Sequence, residues 1–117
     1  MTDIAPGGPT DLVRRLYVAE NARDWAGAAM LVHPDIRSTT WPSGRTVIGV
    51  RDYLAALEEA YQGRDEPLRV LAIAEDTCKA TVFAELEVAG KRSIDVFHLV
   101  DGLIHQERSY LCEGYGG

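Results

Sequence analysis

Hydrophobic residues recur every three or four positions in the first half of the chain, which is the spacing of one helix face. Leu12, Val13, Leu16 and Tyr17 form such a stripe, and Thr10 precedes it with a side chain suited to an N-cap. The stripe therefore predicts an amphipathic helix. The helices that this spacing predicts cover residues 10–21, 25–32 and 50–62.

The second half of the chain changes to the two-residue period that is typical of β-strands. Val82, Ala84 and Leu86 alternate with more polar neighbours, so one face of that strand is expected to be buried and the other exposed to water. Asp101-Gly102 is the strongest hairpin signal in the chain. The predicted strands cover residues 36–41, 68–74, 80–88, 92–100 and 103–111, and residues 42–45 have turn chemistry.

Helices followed by antiparallel strands predict an α+β fold, with the helices against one face of a curved sheet. A length of 117 residues corresponds to one domain. The first nine residues are rich in Gly and Pro, and we expect a flexible tail there. The predicted organisation is a tail over residues 1–9 and a single domain over residues 10–117.

The charge pattern narrows the partners and the compartment. The net charge is −6 and the Lys and Arg residues are scattered, which argues against binding to nucleic acid or to anionic membranes. The sequence contains neither a recognisable signal peptide nor an apolar run long enough to span a membrane. Cys78 and Cys112 lack metal-type spacing, and two cysteines are too few for a secreted disulfide scaffold. A cytoplasmic protein with free thiols is therefore expected.

Asp95 is the most informative candidate residue, because it interrupts the apolar stretch of residues 93–100. A carboxylate removed from water is normally hydrogen-bonded, paired or protonated. Asp95 is thus either a structural residue, paired with an Arg or fixing the strand register, or an acid that serves a reaction.

A second group of ionisable residues lies on the last predicted strand. If His105 and Glu107 face inward beside Asp95, the three residues form a general acid/base group. If the strand is turned over, His105 and Glu107 face water and Arg108 turns inward, where it pairs with Asp95. The two-residue period alone places His105, Glu107, Ser109 and Leu111 on one face, and Gln106, Arg108 and Tyr110 on the other.

Metal and cofactor sites lack a signature in the sequence. The three histidines are not at ligand spacing to one another or to a cysteine. A Gly-rich phosphate loop is also missing. The prediction is that the protein uses no metal and no cofactor.

Three segments carry a resemblance to a known family: residues 21–25 (Asn-Ala-Arg-Asp-Trp), 49–54 (Gly-Val-Arg-Asp-Tyr-Leu) and 95–104 (Asp-Val-Phe-His-Leu-Val-Asp-Gly-Leu-Ile). In this order they resemble the nuclear-transport-factor-2-like superfamily, and its SnoaL-like branch most closely, over residues 10–112. The resemblance implies a cone-shaped antiparallel sheet around three helices, an apolar ligand in the mouth of the cone, and a homodimer through the outer face of the sheet.

Within that family, Asp95 is similar to the acid that donates to the oxyanion in ketosteroid isomerase, an enzyme that also serves as a general example of a carboxylic acid kept protonated by an apolar site. The resemblance places Phe97 on the pocket side, and Tyr17 one residue from the phenolic donor. Trp41 stands near the position of the isomerase base, and Cys112 where many SnoaL-like cyclases carry an acid. The expected catalytic residues are Asp95, Glu107 and His105, and the expected substrate-binding residues are Tyr17, Trp41, Tyr53 and Phe97.

Two functions follow from these residues. The first is a cofactor-independent acid/base enzyme of the isomerase, cyclase, dehydratase or hydrolase class, acting on an apolar, carbonyl-bearing or cyclic substrate. The second is a non-catalytic ligand-binding or dimeric assembly module of the same fold.

Overall fold

Three α-helices, one short 3₁₀-helix (Thr77–Lys79) and one six-stranded sheet are formed within residues 8–112, the part of the chain that the computed structural model describes. The α+β order predicted from the sequence is confirmed. The helices are α1 (Gly8–Asn21), α2 (Trp25–Ala29) and α3 (Val50–Tyr61), and the strands are β1 (Val32–Trp41), β2 (Arg45–Ile48), β3 (Arg69–Asp76), β4 (Thr81–Val88), β5 (Lys91–Val100) and β6 (Leu103–Leu111).

The sheet is curved and unclosed, with the strand order β2-β1-β6-β5-β4-β3. All neighbouring strands run antiparallel except β1 and β6, which are parallel. The sheet was expected to be antiparallel throughout. The parallel pair joins the first and last strands, and local sequence patterns do not report on such a long-range pairing.

The helices and one face of the sheet enclose the core. Leu16 on α1, Tyr53 on α3, and Leu86, Phe97 and Ile104 on the strands are all almost completely buried there. The predicted alternation of β4 is confirmed by its burial. The inward residues Val82, Ala84 and Leu86 are at most 2% exposed, whereas the outward Phe83 is 43% exposed.

The second helix is shorter than the sequence predicts. It is capped by Asp24, whose side chain accepts a hydrogen bond from the backbone N–H of Gly27, and it ends at Ala29 rather than at residue 32. β1 begins at Val32 because the Leu31 carbonyl accepts a hydrogen bond from the Ile104 N–H, which draws the chain into the sheet. Consequently His33, which directly follows the predicted helix, lies in a strand.

β2 has no counterpart among the predicted strands. The turn after Trp41 was expected, but the four residues that follow it return along β1 as an edge strand. Three of these four side chains are exposed, so they lack the alternation of buried and exposed residues by which a strand is recognised.

Three further expectations concern the hairpin at residues 101–102, the N-terminal tail and membrane-spanning helices. Asp101 and Gly102 form the predicted hairpin, with φ angles of +53° and +75°, as expected where both central residues adopt a left-handed conformation. The tail predicted over residues 1–9 lies outside the described residues as far as position 7, and α1 already includes Gly8 and Pro9. Among residues 8–112, none of the helices has the length and apolarity needed to cross a membrane.

Candidate functional site

A cavity of about 380 Å³ lies between the helices and the inner face of the sheet. We call it the central cavity. The exposed charged residues Arg64 and Glu66 line its outer part. The other lining residues are Glu20, Ser38, Thr40, Tyr53, Ala56, Leu57, Ala60, Tyr61, Leu68, Leu86, Val88, Ser93, Asp95, Glu107, Ser109 and Leu111.

The strand register explains why polar residues converge on the sheet wall of this cavity. Residues directly opposite each other on paired strands face the same side. Asp95 on β5 pairs with Ser109 on β6, which in turn pairs with Thr40 on β1, while Glu107 on β6 pairs with Ser38 on β1. Three neighbouring strands thus contribute hydroxyl or carboxyl groups to one surface.

Asp95 is almost completely buried, and its partner is a tyrosine of the helix layer. The Tyr17 hydroxyl donates a hydrogen bond to Oδ2 of Asp95 at 2.8 Å. Burial raises the pKa of Asp95 to about 6, although hydrogen bonds from Ser109 and Tyr17 act in the opposite direction. The alternative in which Arg108 turns inward to pair with Asp95 is wrong, since Arg108 bonds His98 and Tyr110 instead.

Glu107 is buried beside Asp95 and makes the corresponding contact with α3. The Tyr53 hydroxyl donates to Oε1 of Glu107 at 2.7 Å, and the Ser109 hydroxyl donates to Oε2 at 3.3 Å. Burial raises the pKa of Glu107 well above its usual value, and the nearby charges of Asp95 and Glu20 raise it further. Ser109 thus lies beside both strand carboxyl groups, and its single hydroxyl can donate a hydrogen bond to only one of them at a time.

A third buried carboxyl group, Glu20 on α1, was missed by the sequence reasoning. It accepts a hydrogen bond from the Tyr61 hydroxyl at 2.7 Å, and burial raises its pKa to about 8. The signal was present, because Glu20 follows Leu16 and Tyr17 at the four- and three-residue spacing of the buried stripe. It was overlooked because only apolar residues were counted on that stripe.

The three carboxyl groups do not hold protons equally. Around pH 7, Asp95 is mainly ionised because its pKa is near 6, whereas Glu20 remains mainly protonated. Burial and the charge of Asp95 both raise the pKa of Glu107, which favours its protonated form. The cavity therefore contains both an ionised and a protonated carboxyl group at the same pH.

His105 is not part of this site, which corrects the expectation that it faces the cavity. The pairing of β5 with β6 passes from His98–Gln106 directly to Leu99–Ile104, so His105 is the extra residue of a β-bulge. The two-residue period is interrupted there, and Ile104 takes the inward position. The His105 ring instead packs edge-on against His33, with ring centres 4.8 Å apart.

The expected substrate-binding residues fall into three different places. Tyr53 lines the central cavity, whereas Tyr17 reaches its wall only through the hydroxyl bonded to Asp95. Phe97 is fully buried in the core, edge-on to the Tyr17 ring at 5.9 Å. Trp41 is absent from the cavity lining, because its neighbour Thr40 takes the inward position on β1 and Trp41 pairs with Tyr110 on the outer face.

The outer face of the sheet carries a separate polar network centred on His98. Because the Arg108 guanidinium can only donate, Nε2 of His98 is the acceptor of their 2.7 Å hydrogen bond. Nδ1 of His98 then donates to the Thr81 hydroxyl at 3.0 Å, and that hydroxyl donates to the Lys79 carbonyl. Partial burial and the Arg108 charge lower the pKa of His98, which keeps it neutral.

A second, more open depression of about 980 Å³ lies on the outside of α2 and α3. It is larger than the central cavity, but most of its walls are exposed charged or polar side chains such as Arg45, Asp52 and Glu59. We assign the functional site to the central cavity, because buried carboxyl groups with raised pKa values are found there. Within residues 8–112, no group of three or more His, Cys, Asp and Glu residues has the geometry to hold a metal ion.

Comparison with solved structures identifies the architecture. A candidate ketosteroid isomerase from Kribbella flavida is 26% identical, with a TM-score of 0.76, over 93% of this chain and 81% of that one. A nuclear-transport-factor-2-like protein of unknown function from Cytophaga hutchinsonii is 19% identical, with a TM-score of 0.74, over 95% and 93% of the two chains. The chain has the nuclear-transport-factor-2-like fold.

Another structure with this fold is a candidate polyketide cyclase from Xanthomonas campestris pv. campestris. It is 21% identical, with a TM-score of 0.75, over 87% of this chain and 88% of that one. The sequence matches no protein-family model and no curated protein sequence. The nuclear-transport-factor-2-like fold is thus the shared feature. The fold does not identify the reaction, which depends on the residues that line the cavity.

Proposed function

We propose that this protein is a cofactor-independent enzyme that transfers protons on an apolar, carbonyl-bearing or cyclic small molecule bound in the central cavity. The observation that carries the proposal is that Asp95 and Glu107 lie on either side of Ser109 in the same buried wall. A carboxylate beside a carboxylic acid is the arrangement that general acid/base catalysis requires. The candidate isomerase and candidate cyclase with the same fold are consistent with this class of reaction.

We propose the roles of Asp95 and Glu107 in the opposite order to the one that the family resemblance suggests. Asp95 has a pKa of about 6, so it is the group able to accept a proton from a carbon next to a carbonyl near neutral pH. Burial and the charge of Asp95 favour the protonated form of Glu107, which can donate its proton, or a hydrogen bond, to the oxygen on which negative charge develops. In an isomerisation, Asp95 returns its proton to a different carbon and Glu107 recovers its own, so the protein ends unchanged.

The rest of the lining favours a mainly apolar ligand. Leu57, Leu68, Leu86, Val88 and Leu111 surround the polar wall. A small number of polar groups within an apolar cavity of a few hundred Å³ is typical of small-molecule sites. The apolar part would bind the ring or chain of the ligand, while the polar wall would orient its oxygen.

Asp95→Asn is the direct test of the reaction. We expect the wild type to exchange the α-protons of bicyclic ketones such as 1-tetralone and 2-tetralone for deuterium, as followed by proton NMR in D2O. The introduced amide keeps an acceptor for the Tyr17 hydroxyl but cannot take up the proton. The exchange rate should therefore fall by about 10²- to 10⁴-fold, the usual contribution of a general base.

Asp101→Asn is the matched control, because it makes the same chemical change at an exposed turn residue with a positive φ that asparagine tolerates. It should exchange at the wild-type rate. Wild-type exchange no faster than in buffer, or unaltered exchange in Asp95→Asn, would contradict the proposal.

A non-catalytic dimeric module is the second candidate function, and the outer face of the sheet favours it. Trp41, Tyr110 and Ile94 are neighbours across β1, β6 and β5, and Phe83 lies on the same face of β4. All four are more than a third exposed. Large apolar side chains gathered on a surface are typical of protein contacts, so we propose a homodimer through this face.

Tyr110→Arg tests the dimer, because it places a charge in the middle of the apolar row. We expect sedimentation equilibrium at micromolar concentration to give a dimer for the wild type and a monomer for the variant. Arg51→Glu, a charge change on the exposed side of α3, should remain dimeric. A monomeric wild type would contradict this proposal.

The proposed location is the cytoplasm. Cys78 and Cys112 are both exposed free thiols. Exposed thiols that stay reduced are typical of reducing compartments.

A further inference from the structure

We propose that Glu20 is a second proton-bearing ligand contact, which donates a hydrogen bond to an oxygen of the ligand from the helix side of the central cavity. The inference rests on the proposed function only in that a carbonyl-bearing ligand occupies the cavity. It adds a contact from α1 to those made by Asp95 and Glu107 on the sheet. The ligand must therefore have a second acceptor atom, or a carbonyl oxygen, within reach of α1.

The position of the carboxyl group supports this role. Glu20 is only 4% exposed and lines the central cavity. Its Oε1 accepts the Tyr61 hydroxyl at 2.7 Å, so a proton on this group is carried by Oε2. Tyr61 is itself fixed, with the Arg23 guanidinium over its ring at 4.3 Å and the Trp25 ring at 5.9 Å. The carboxyl group therefore has a defined orientation before any ligand binds.

A purely structural role leaves the proton of Glu20 unexplained. A glutamine at this position would accept the same hydrogen bond from Tyr61 and would avoid the cost of removing an ionisable group from water. A buried O–H group that lines a cavity requires an acceptor there. A carbonyl oxygen of a bound ligand supplies that acceptor.

The surroundings of Glu20 define how the contact should respond to pH. Arg23 in the turn after α1 and Tyr61 on α3 favour its ionised form, whereas burial and the charge of Asp95 on β5 oppose it. Glu107 on β6, Tyr17 on α1 and Tyr53 on α3 are the other titratable groups that interact with it. Because the pKa of Glu20 is about 8, the donor is present at pH 6–7 and is lost as pH rises above 8.

Equilibrium binding of 1-tetralone, labelled with ¹³C at its carbonyl, tests the inference without requiring turnover. In the wild type we expect the bound carbonyl resonance to move downfield at pH 6–7, as hydrogen bonding to the oxygen predicts. Affinity should then fall by up to tenfold per pH unit above pH 8. Glu20→Gln should bind 1-tetralone with no such decline above pH 8. Tyr61→Phe, which removes a bond favouring the ionised form, should move the decline to higher pH.

Two controls separate Glu20 from the other acids and from the proposed reaction. Glu58→Gln, an exposed change on α3, should keep the wild-type profile. Asp95→Asn should keep a decline but move it to lower pH, because the charge of Asp95 no longer opposes ionisation of Glu20, even though proton exchange is lost. The inference is overturned if the wild type does not bind 1-tetralone, if its affinity is constant from pH 6 to 10, or if Glu20→Gln retains the decline. Binding with this decline but without α-proton exchange would contradict the proposed reaction and support the role of Glu20.

Discussion

The free energy of unfolding should fall steadily between about pH 5 and pH 8, so that the protein is most stable in mild acid. Glu20 has a pKa near 4.5 when unfolded and about 8 when folded. Over that interval the unfolded chain releases a proton that the folded chain keeps, so the contribution of Glu20 to stability is complete below pH 4.5 and is lost as pH rises to 8. The expected slope is ~1.4 kcal/mol per pH unit. Asp95 and Glu107 act in the same direction.

Glu20→Gln should remove the part of this slope that Glu20 contributes, ~1.4 kcal/mol per pH unit, because the amide does not titrate and still accepts the Tyr61 hydrogen bond. We expect the variant to be more stable than the wild type by roughly 2–4 kcal/mol at pH 8 and similar to it at pH 5. Urea unfolding at both pH values measures the difference. Glu58→Gln is again the exposed control and should follow the wild type. A Glu20→Gln protein less stable than the wild type at pH 8 would show that the carboxylate, rather than the acid, is the stabilising form.

Phe97→Ala is expected to cost about 3–5 kcal/mol of unfolding free energy, the range for deleting a buried aromatic side chain. Phe97 is completely buried where β5 crosses the core, and its ring supports Tyr17 edge-on. Loss of the ring leaves a cavity behind Tyr17 and removes the packing that directs the Tyr17 hydroxyl to Asp95. Urea unfolding at pH 6 measures the change.

The chain offers a matched control for this substitution in its other phenylalanine. Phe83 lies on the neighbouring strand but on the outer face, and it is 43% exposed. Phe83→Ala should cost about 1 kcal/mol or less in a monomeric sample. Equal losses in the two variants would mean that the inner and outer faces have been assigned to the wrong sides of the sheet.

The parts of the fold that could be predicted are those in which local pattern and tertiary burial agree. The α1 stripe, the alternation of β4 and the Asp101-Gly102 turn each follow from neighbouring residues alone. The end of α2 does not, because pairing of Val32 with Ile104 depends on a strand at the far end of the chain. β2 was missed for the related reason that an exposed edge strand has little hydrophobic pattern to detect.

The residues of the candidate site divide in the same way, into those that a local pattern indicates and those that depend on contacts distant in sequence. Asp95 stood out because it interrupts an apolar strand, and the two-residue period of β6 placed Glu107 on one of two faces without deciding which of them is inward. His105 followed from the same period and was misplaced, because a single bulge reverses the faces on its two sides. Glu20 could have been found from helical spacing, whereas the tyrosine partners of the three acids could not, since each joins elements far apart in sequence.

The place of β6 in the sheet has a consequence for the order in which the protein is assembled. Of the six strands, β6 comes last along the chain, yet it lies between β1 and β5 and joins the β1–β2 hairpin to the β3–β4–β5 meander. Until residues 103–111 have left the ribosomal tunnel, these two halves of the sheet have no shared edge. Both retain open edges that invite pairing with other chains. Closing so distant a contact also slows folding, so the nascent chain is exposed to aggregation until β6 has emerged and paired with both halves.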